Sequence, residues 1–239
     1  QPEVTMKRSI FLTFFLLSIS FIYAQQDLLL RFPSLNNDGS KITFSFQGDI
    51  WTVPSSGGKA TRLTIHEAYE SNPIFSPDGK EIVFFSNQGG NYEIWKSKSD
   101  GSGAVPLTSF GGPVNGTPRW SPDGHLIAFD SRKGGSALNI YVVNSDGGIP
   151  KMVTFSSAFE NNQPSWSHDG RWIYFSSNRT GRIEIWKVPA DGGEEQQVTR
   201  HGGIAAFESP DGTTLFYSKG LPGEIWKTPT TGGLEERVD

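Results

Sequence analysis

The sequence of 239 residues contains no cysteine and no cluster of lysine and arginine. Without cysteine the chain forms no disulfide bonds and none of the usual cysteine-rich zinc sites, although this says little about the compartment of a chain of this length. The formal net charge is −4. Because no basic stripe is present, the electrostatic footprint of phosphate binding is missing, and the sequence predicts no nucleic-acid partner.

Long apolar runs are absent too, except for one near the amino terminus. Met6-Lys7-Arg8 supplies positive charge, Ile10 to Ile22 is apolar, and Ala24 is a small residue at a plausible cleavage site. This pattern is typical of a secretory signal peptide. A run of 13 residues is shorter than the roughly 20 that a helix needs to cross a bilayer. A retained membrane anchor is the alternative.

We therefore divide the chain into three parts. Residues 1–5 are upstream sequence, residues 6–24 are the predicted signal peptide, and residues 25–239 are the mature domain. The predicted location is the periplasm or the exterior of a bacterial cell, without stable membrane insertion after the signal is cleaved.

The sequence also lacks the features of a hydrolytic site. A serine nucleophile is typically held within Gly-x-Ser-x-Gly, with a histidine and an acid placed to activate it. No such pentapeptide is present, and Gly101-Ser102-Gly103 and Gly135-Ser136 lie where turns are expected. We predict no catalytic residue and no cofactor in this chain.

Glycine and proline, by contrast, are abundant, with 28 and 15 residues, and they recur between short apolar runs. The stretch from Gln163 to Thr199 shows the pattern best. Its first two apolar runs flank Asp169-Gly170, and its last two flank Gly192-Gly193. Asp-Gly between apolar runs favours a tight hairpin, because glycine adopts positive φ without steric cost. The stretch therefore predicts four short strands in one antiparallel meander.

This unit occurs five times. The aspartate of the first turn recurs at intervals of 40 to 46 residues, as Asp38, Asp78, Asp123, Asp169 and Asp211. Each third strand carries an acid or amide, then isoleucine, then an aromatic residue. The copies span about 28–64, 65–108, 109–154, 155–199 and 200–239. A period in this range is that of four-stranded propeller blades.

Apolar residues stand at successive positions of the second strands, as in Ile82-Val83-Phe84-Phe85. Strands that are apolar on both faces must be covered on both sides, and radial stacking of similar sheets does this. We therefore predict an all-β fold, a β-propeller of four-stranded antiparallel blades. A single barrel or a sandwich is the alternative. No spare strand is left to close the ring, so five copies correspond to a five-bladed ring or to a truncated ring of six or seven blades. We favour truncation because the sequence ends at Asp239 without a tail.

The repeat Pro-x-aromatic-Ser-Pro-Asp-Gly, followed by Phe-x-Ser, Ile-Trp/Tyr, Gly-Gly and Leu-Thr, resembles the WD-like propeller repeat of the TolB C-terminal domain family. The first copy, with Leu30-Arg31-Phe32-Pro33 and Gly48-Asp49-Ile50-Trp51, is similar to the first blade of tricorn-type peptidases. The TolB resemblance implies a secreted or periplasmic, non-enzymatic scaffold that binds a protein or peptide. The tricorn resemblance implies the alternative, an N-terminal propeller of a larger peptidase or related hydrolase whose catalytic domain lies beyond Asp239.

Features that all copies share belong to the architecture, so we expect function in the loops that join fourth to first strands. These loops span 65–72, 109–117, 155–163 and 200–205. They carry the aromatic side chains of Tyr69, Phe110, Phe155 and Phe159, a residue type favoured at interfaces. We predict that these residues bind the partner at the channel mouth.

Two of the loops also carry histidines, His66 and His201, each two residues after the threonine that ends a fourth strand. Imidazoles at a channel rim are able to bind a metal, with Glu67 as a third ligand. The two histidines lie three blades apart, and solvated loop histidines are the ordinary interpretation. We include His66, Glu67 and His201 in the predicted binding rim and predict no metal.

Overall fold

The computed structural model describes residues 29–111, 115–133, 137–220 and 223–238. The predicted upstream residues and signal peptide lie outside these ranges. Throughout the described part of the chain the regular structure is β-strand, and none of it is a helix long and apolar enough to cross a membrane.

Twenty strands form five sheets of four. The first and second sheets contain β1 (Arg31–Leu35), β2 (Lys41–Phe46), β3 (Asp49–Pro54), β4 (Thr61–Arg62), β5 (Glu70–Phe75), β6 (Glu81–Ser86), β7 (Glu93–Lys98) and β8 (Val105–Pro106). The third and fourth contain β9 (Asn115–Trp120), β10 (Leu126–Ser131), β11 (Asn139–Asn144), β12 (Lys151–Met152), β13 (Asn161–Trp166), β14 (Trp172–Ser177), β15 (Glu184–Pro189) and β16 (Gln196–Gln197). The fifth contains β17 (Ile204–Glu208), β18 (Thr214–Lys219), β19 (Glu224–Pro229) and β20 (Glu236–Arg237).

Each sheet is an antiparallel meander in which hydrogen-bonded neighbours follow one another in the sequence. The sheets stack in chain order, and in the second to fifth blades the first strand packs against the blade before it. The predicted all-β propeller with five four-stranded antiparallel blades is therefore confirmed.

The Asp-Gly turns hold the first two strands of each blade together. In the fourth blade, Asp169 Oδ1 accepts hydrogen bonds from the Ser167 hydroxyl at 2.7 Å and from the Arg171 amide at 3.0 Å. Gly170 follows with φ 70°, in the left-handed region that favours glycine. The second, third and fifth blades repeat both hydrogen bonds, and the first blade, which has Asn36 in place of the serine, repeats the bond from the amide. These aspartates therefore serve the turns.

These hydrogen bonds make the stability of the fold depend on pH. The bond from Ser167, followed by the Arg171 amide, lowers the pKa of Asp169 to about 2, whereas an aspartate in an unfolded chain titrates near 3.9. Because the folded pKa is the lower one, this stabilisation is complete above about pH 4 and is lost as the pH falls through about 2. The midpoint of urea unfolding, measured from pH 5 to pH 2 at low salt, is therefore expected to fall less steeply in Asp169→Asn than in the wild type.

Buried carboxyl groups act in the opposite direction. Burial raises the pKa of Asp130 and of Glu70, so their effect is to favour the folded state as the pH falls. Both groups are present in wild type and variant, and the difference between the two curves isolates Asp169. Parallel curves across the whole range would contradict a role for the turn hydrogen bonds in acid stability.

Every first strand is bent by a β-bulge between its two halves. At each bulge a residue other than glycine adopts φ between 43° and 54°, in order Phe32, Asn72, Thr117, Gln163 and Ala205. The bulge turns a backbone amide out of the sheet. The amide of Gln163 donates to Asp130 Oδ2 of the preceding blade at 2.9 Å, and that of Ala205 donates to the Ser176 hydroxyl at 3.2 Å. These two bulges therefore tie neighbouring blades together.

Large side chains fill the space between consecutive blades. The Trp120 indole donates to the Ile74 carbonyl at 3.2 Å, and the Trp166 indole donates to the Arg119 carbonyl at 3.0 Å, each on the preceding blade. The third-strand isoleucine is buried in the first four blades, but its equivalent in the fifth, Ile225, is 56% exposed. Leu35, which stands at the position of these tryptophans in the first blade, is 59% exposed. Within the described ranges, the first and fifth blades thus each present one uncovered apolar face.

Candidate binding sites at the two ends of the channel

The up-and-down order of strands gives the central channel two different ends. The loops between second and third strands and those between fourth and first strands meet at one end, which we call the rim end. The Asp-Gly turns and the second glycine turns meet at the other, which we call the turn end. All predicted binding residues belong to the rim end.

In the second to fourth blades the rim loop begins at a fixed position, because the acid or amide that opens the third strand holds it. Glu184 Oε2 accepts hydrogen bonds from the Thr199 hydroxyl at 2.7 Å and from the Gly202 amide at 2.9 Å. Asn139 Oδ1 accepts one from the Ser156 amide at 2.8 Å. The predicted structural role of these third-strand residues is confirmed.

Two of the predicted aromatic residues are open to solvent at the rim end. Phe155 is 71% exposed and Tyr69 is 41% exposed. The Tyr69 backbone is fixed by a hydrogen bond from its amide to Asn87 Oδ1 at 2.8 Å, and its ring lies 6.1 Å from that of Phe85. The exposed parts of these two side chains therefore offer apolar area to a partner.

The other two aromatic residues are half-buried and already packed. The Phe110 ring lies 5.2 Å from that of Tyr141 and 5.9 Å from that of Phe129, which places it against the core of the third blade. The guanidinium of Arg179 lies 4.6 Å from the centroid of the Phe159 ring. Much of the surface of both rings is thus used inside the protein.

The three predicted polar rim residues, His66, Glu67 and His201, are exposed. His66 Nδ1 accepts a hydrogen bond from the Ala68 amide at 3.0 Å, and His201 Nδ1 lies 3.5 Å from Glu235 Oε1. Across the described ranges, no three histidine or acidic side chains stand close enough together to hold a metal ion. The structure therefore gives no support to a metal site at these histidines.

The turn end contains a cavity of about 490 Å³ to which all five blades contribute. Its walls come from the last residues of the first strands and from the turns that follow them. Apolar surface is supplied by Leu35, Phe207 and the tryptophans, and charge by Arg119 and Glu208. None of these residues belongs to the rim loops in which binding was predicted. The available signal was a departure from the repeat: Glu208 replaces the aromatic residue, and the residues equivalent to Arg119 are serine, isoleucine or phenylalanine.

The two charged side chains of this cavity are held differently. Glu208 is satisfied by fixed donors, since its carboxylate accepts from the His168 amide at 2.7 Å and from the Tyr174 hydroxyl at 2.6 Å. Burial, followed by the bond to Glu208, raises the pKa of Tyr174 well above its usual range, so that hydroxyl stays a donor. Among the described residues, the Arg119 guanidinium makes one hydrogen bond, to the Pro118 carbonyl at 2.9 Å.

Comparison with known proteins agrees with the propeller fold. The solved structure of a putative TolB from Agrobacterium tumefaciens superposes with a TM-score of 0.79, at 24% identity, and covers 88% of this chain and 80% of that one. The Tol-Pal system protein TolB of Francisella tularensis is 38% identical over 72 residues, which is 28% of this chain and 17% of that protein. Tricorn protease homolog 1 of Streptomyces coelicolor is 29% identical over 102 residues, which is 43% of this chain and 9% of that protein. The matched stretches thus span less than a fifth of the length of both relatives.

Two family descriptions match the sequence. Residues 27–94 match the tricorn protease N-terminal beta propeller domain, in agreement with the resemblance of the first copy. Residues 106–228 match the TolB beta propeller domain, and this match extends over just over half of the 239 residues. The chain belongs to the TolB beta propeller domain family.

Proposed function

We propose that this chain is a non-enzymatic, periplasmic or secreted propeller that binds a protein or peptide segment at its rim end. The observation that carries the proposal is the exposure of Phe155 and Tyr69 on loops whose backbones are hydrogen-bonded to the blades. Aromatic side chains on a preorganised surface bury large areas at low entropic cost when a partner binds. The predicted signal peptide and the likeness to a Tol-Pal system protein support the location.

Substitution of the two exposed rings is expected to weaken the binding of such a partner. The partner is sought by selecting peptides from a random twelve-residue library displayed on phage against the purified chain, and the enriched sequences are then synthesised. Phe155→Ala and Tyr69→Ala are each expected to raise the dissociation constant of a selected peptide about tenfold, because truncation of a central interface aromatic costs roughly 1–2 kcal/mol. Isothermal titration calorimetry measures the change.

Ile149 provides the matched control. Its side chain is 97% exposed, but it lies beside the second glycine turn of the third blade, at the turn end. Ile149→Ala therefore removes comparable apolar surface far from the rim and is expected to leave the affinity unchanged. Selection of no peptide with saturable binding, or equal weakening by Ile149→Ala, would overturn the proposed rim site.

A second candidate function is the propeller of a larger peptidase or related hydrolase. It is favoured by the match of residues 27–94 to a tricorn propeller domain and by the similarity to tricorn protease homolog 1. In that case the propeller admits or positions peptide substrates for a catalytic domain elsewhere in the polypeptide. Sequencing the source gene downstream of the codon for Asp239 distinguishes the two candidates, because only the second requires an encoded catalytic domain.

A further inference from the structure

The turn-end cavity contains a cationic group whose hydrogen-bonding capacity is largely unused. A guanidinium carries five N–H donors, and the one hydrogen bond that Arg119 makes within the described residues goes to the Pro118 carbonyl. The guanidinium carbon also lies 5.5 Å from the centroid of the Phe207 ring. Arg119 belongs to the third blade and Phe207 to the fifth, so the side chain reaches across the channel.

No carboxylate of the described residues forms a salt bridge with this group. Within the described ranges no aspartate or glutamate oxygen lies within salt-bridge distance, 4.0 Å, of the Arg119 guanidinium. Asp130, which interacts electrostatically with Arg119, is buried and accepts hydrogen bonds from the Gln163 amide at 2.9 Å and from the Thr117 hydroxyl. Glu208 lines the same cavity, but its two oxygens already accept from His168 and Tyr174. The nearby acids are thus held by other donors.

The surroundings of Arg119 are apolar enough to strengthen an ionic interaction. The Arg119 side chain is half-buried, and burial lowers its pKa while the charge of Asp130 raises it. Leu35 and Phe207 present exposed apolar surface to the cavity, next to the edges of Trp120 and Trp166. The volume of about 490 Å³ is in the usual range of ligand pockets, roughly 300–1,000 Å³. An anion with an attached apolar group satisfies both features.

We propose that the turn-end cavity binds a carboxylate of a peptide segment, with Arg119 as the bidentate donor and with an apolar side chain of the peptide against Leu35 and Phe207. Carboxylate matches the planar fork of a guanidinium, and each hydrogen bond is charge-assisted. This site lies at the opposite end of the channel from the rim and goes beyond the proposed function. The carboxylate comes either from the end of a peptide or from an acidic side chain.

Three small peptides test the proposal and distinguish the two sources. The first is N-acetyl-leucyl-phenylalanine with a free carboxylate, the second is its C-terminal amide, and the third is N-acetyl-glutamyl-phenylalanine amide. Binding is followed by the NMR shifts of the tryptophan indole N–H groups, because Trp120 and Trp166 line the cavity. We expect at least one carboxylate peptide to bind about tenfold or more tightly than the first peptide's amide. This comparison uses the wild-type chain and needs no variant.

Variants then assign the effect to Arg119. Arg119→Met is expected to lower the affinity for the carboxylate peptide about tenfold or more. Arg119→Lys keeps the charge but not the planar pair of donors, and it is expected to lower the affinity less. Phe155→Ala at the rim end is expected to leave this binding unchanged, and Arg119→Met is expected to leave rim-selected peptides unaffected. The failure of one site is therefore distinguishable from the failure of the other. The proposal is overturned if the amide binds as well as both acids, if Arg119→Met binds the acid like the wild type, or if neither acid shows saturation up to about 10 mM.

Discussion

Replacing Trp166 with alanine is expected to lower the free energy of unfolding by about 3–5 kcal/mol. The indole is buried between the third and fourth blades, in an apolar cluster that also contains Ala128 and Val188, and it donates to the Arg119 carbonyl at 3.0 Å. Alanine removes the ring and leaves a cavity in a rigid interface, because strands from two sheets surround it and cannot collapse onto it. Urea unfolding, followed by circular dichroism and by tryptophan fluorescence, measures the loss.

A phenylalanine at the same position separates packing from hydrogen bonding. Trp166→Phe keeps an aromatic ring but removes the N–H group, so the Arg119 carbonyl loses its donor. We expect this variant to lose about 1–2 kcal/mol. If Trp166→Ala costs less than about 1 kcal/mol, the tryptophan is not an anchor between blades, and the interface is held elsewhere.

The fold was predictable because its information is local and repeated. The Asp-Gly turn and the closing threonine each act within one blade, and five copies at a spacing of 40 to 46 residues make weak signals specific. The structure shows the same local bonds, for example from the Ile185 amide to the Thr199 hydroxyl at 2.9 Å. The role of the third-strand acids was predictable for the same reason, since a residue that recurs in blade after blade serves the blade.

The rim was predicted less well, because exposure depends on contacts that cross between sheets. Phe155 and Phe110 both stand in loops between fourth and first strands. Phe155 points to solvent, whereas Phe110 packs on Phe129 and Tyr141 of the following blade. Nothing in the local sequence predicts which of the two rings is exposed, since the difference lies in how each loop packs on the adjacent blade.

The turn-end cavity was missed for a related reason. Its residues come from five blades that are about 40 residues apart in the chain, and they converge only because the blades share an axis. Arg119 sits within a repeat motif, where the pattern suggests architecture. It becomes a candidate for ligand binding once the structure places it in the cavity, with no salt bridge to an acid among the described residues.

The third-strand isoleucines allow the stacking of blades to be measured within one molecule. Ile185→Ala is expected to cost about 2–5 kcal/mol, because Ile185 is fully buried against Ala206, Leu215 and Tyr217 of the fifth blade. Ile225 occupies the same register position in the fifth blade, opposite a serine of the second strand, yet it is 56% exposed. Ile225→Ala is therefore expected to change the free energy of unfolding by less than about 0.5 kcal/mol.

The comparison isolates what a following blade contributes. Both substitutions remove the same atoms from the same kind of strand, so β-propensity and unfolded-state effects largely cancel between them. The difference in unfolding free energy, obtained from urea titrations of the two variants and the wild type, then reports the packing of one blade on the next. Equal losses would mean that stability resides within single sheets, contrary to a propeller in which each blade is stable because its neighbours cover both of its faces.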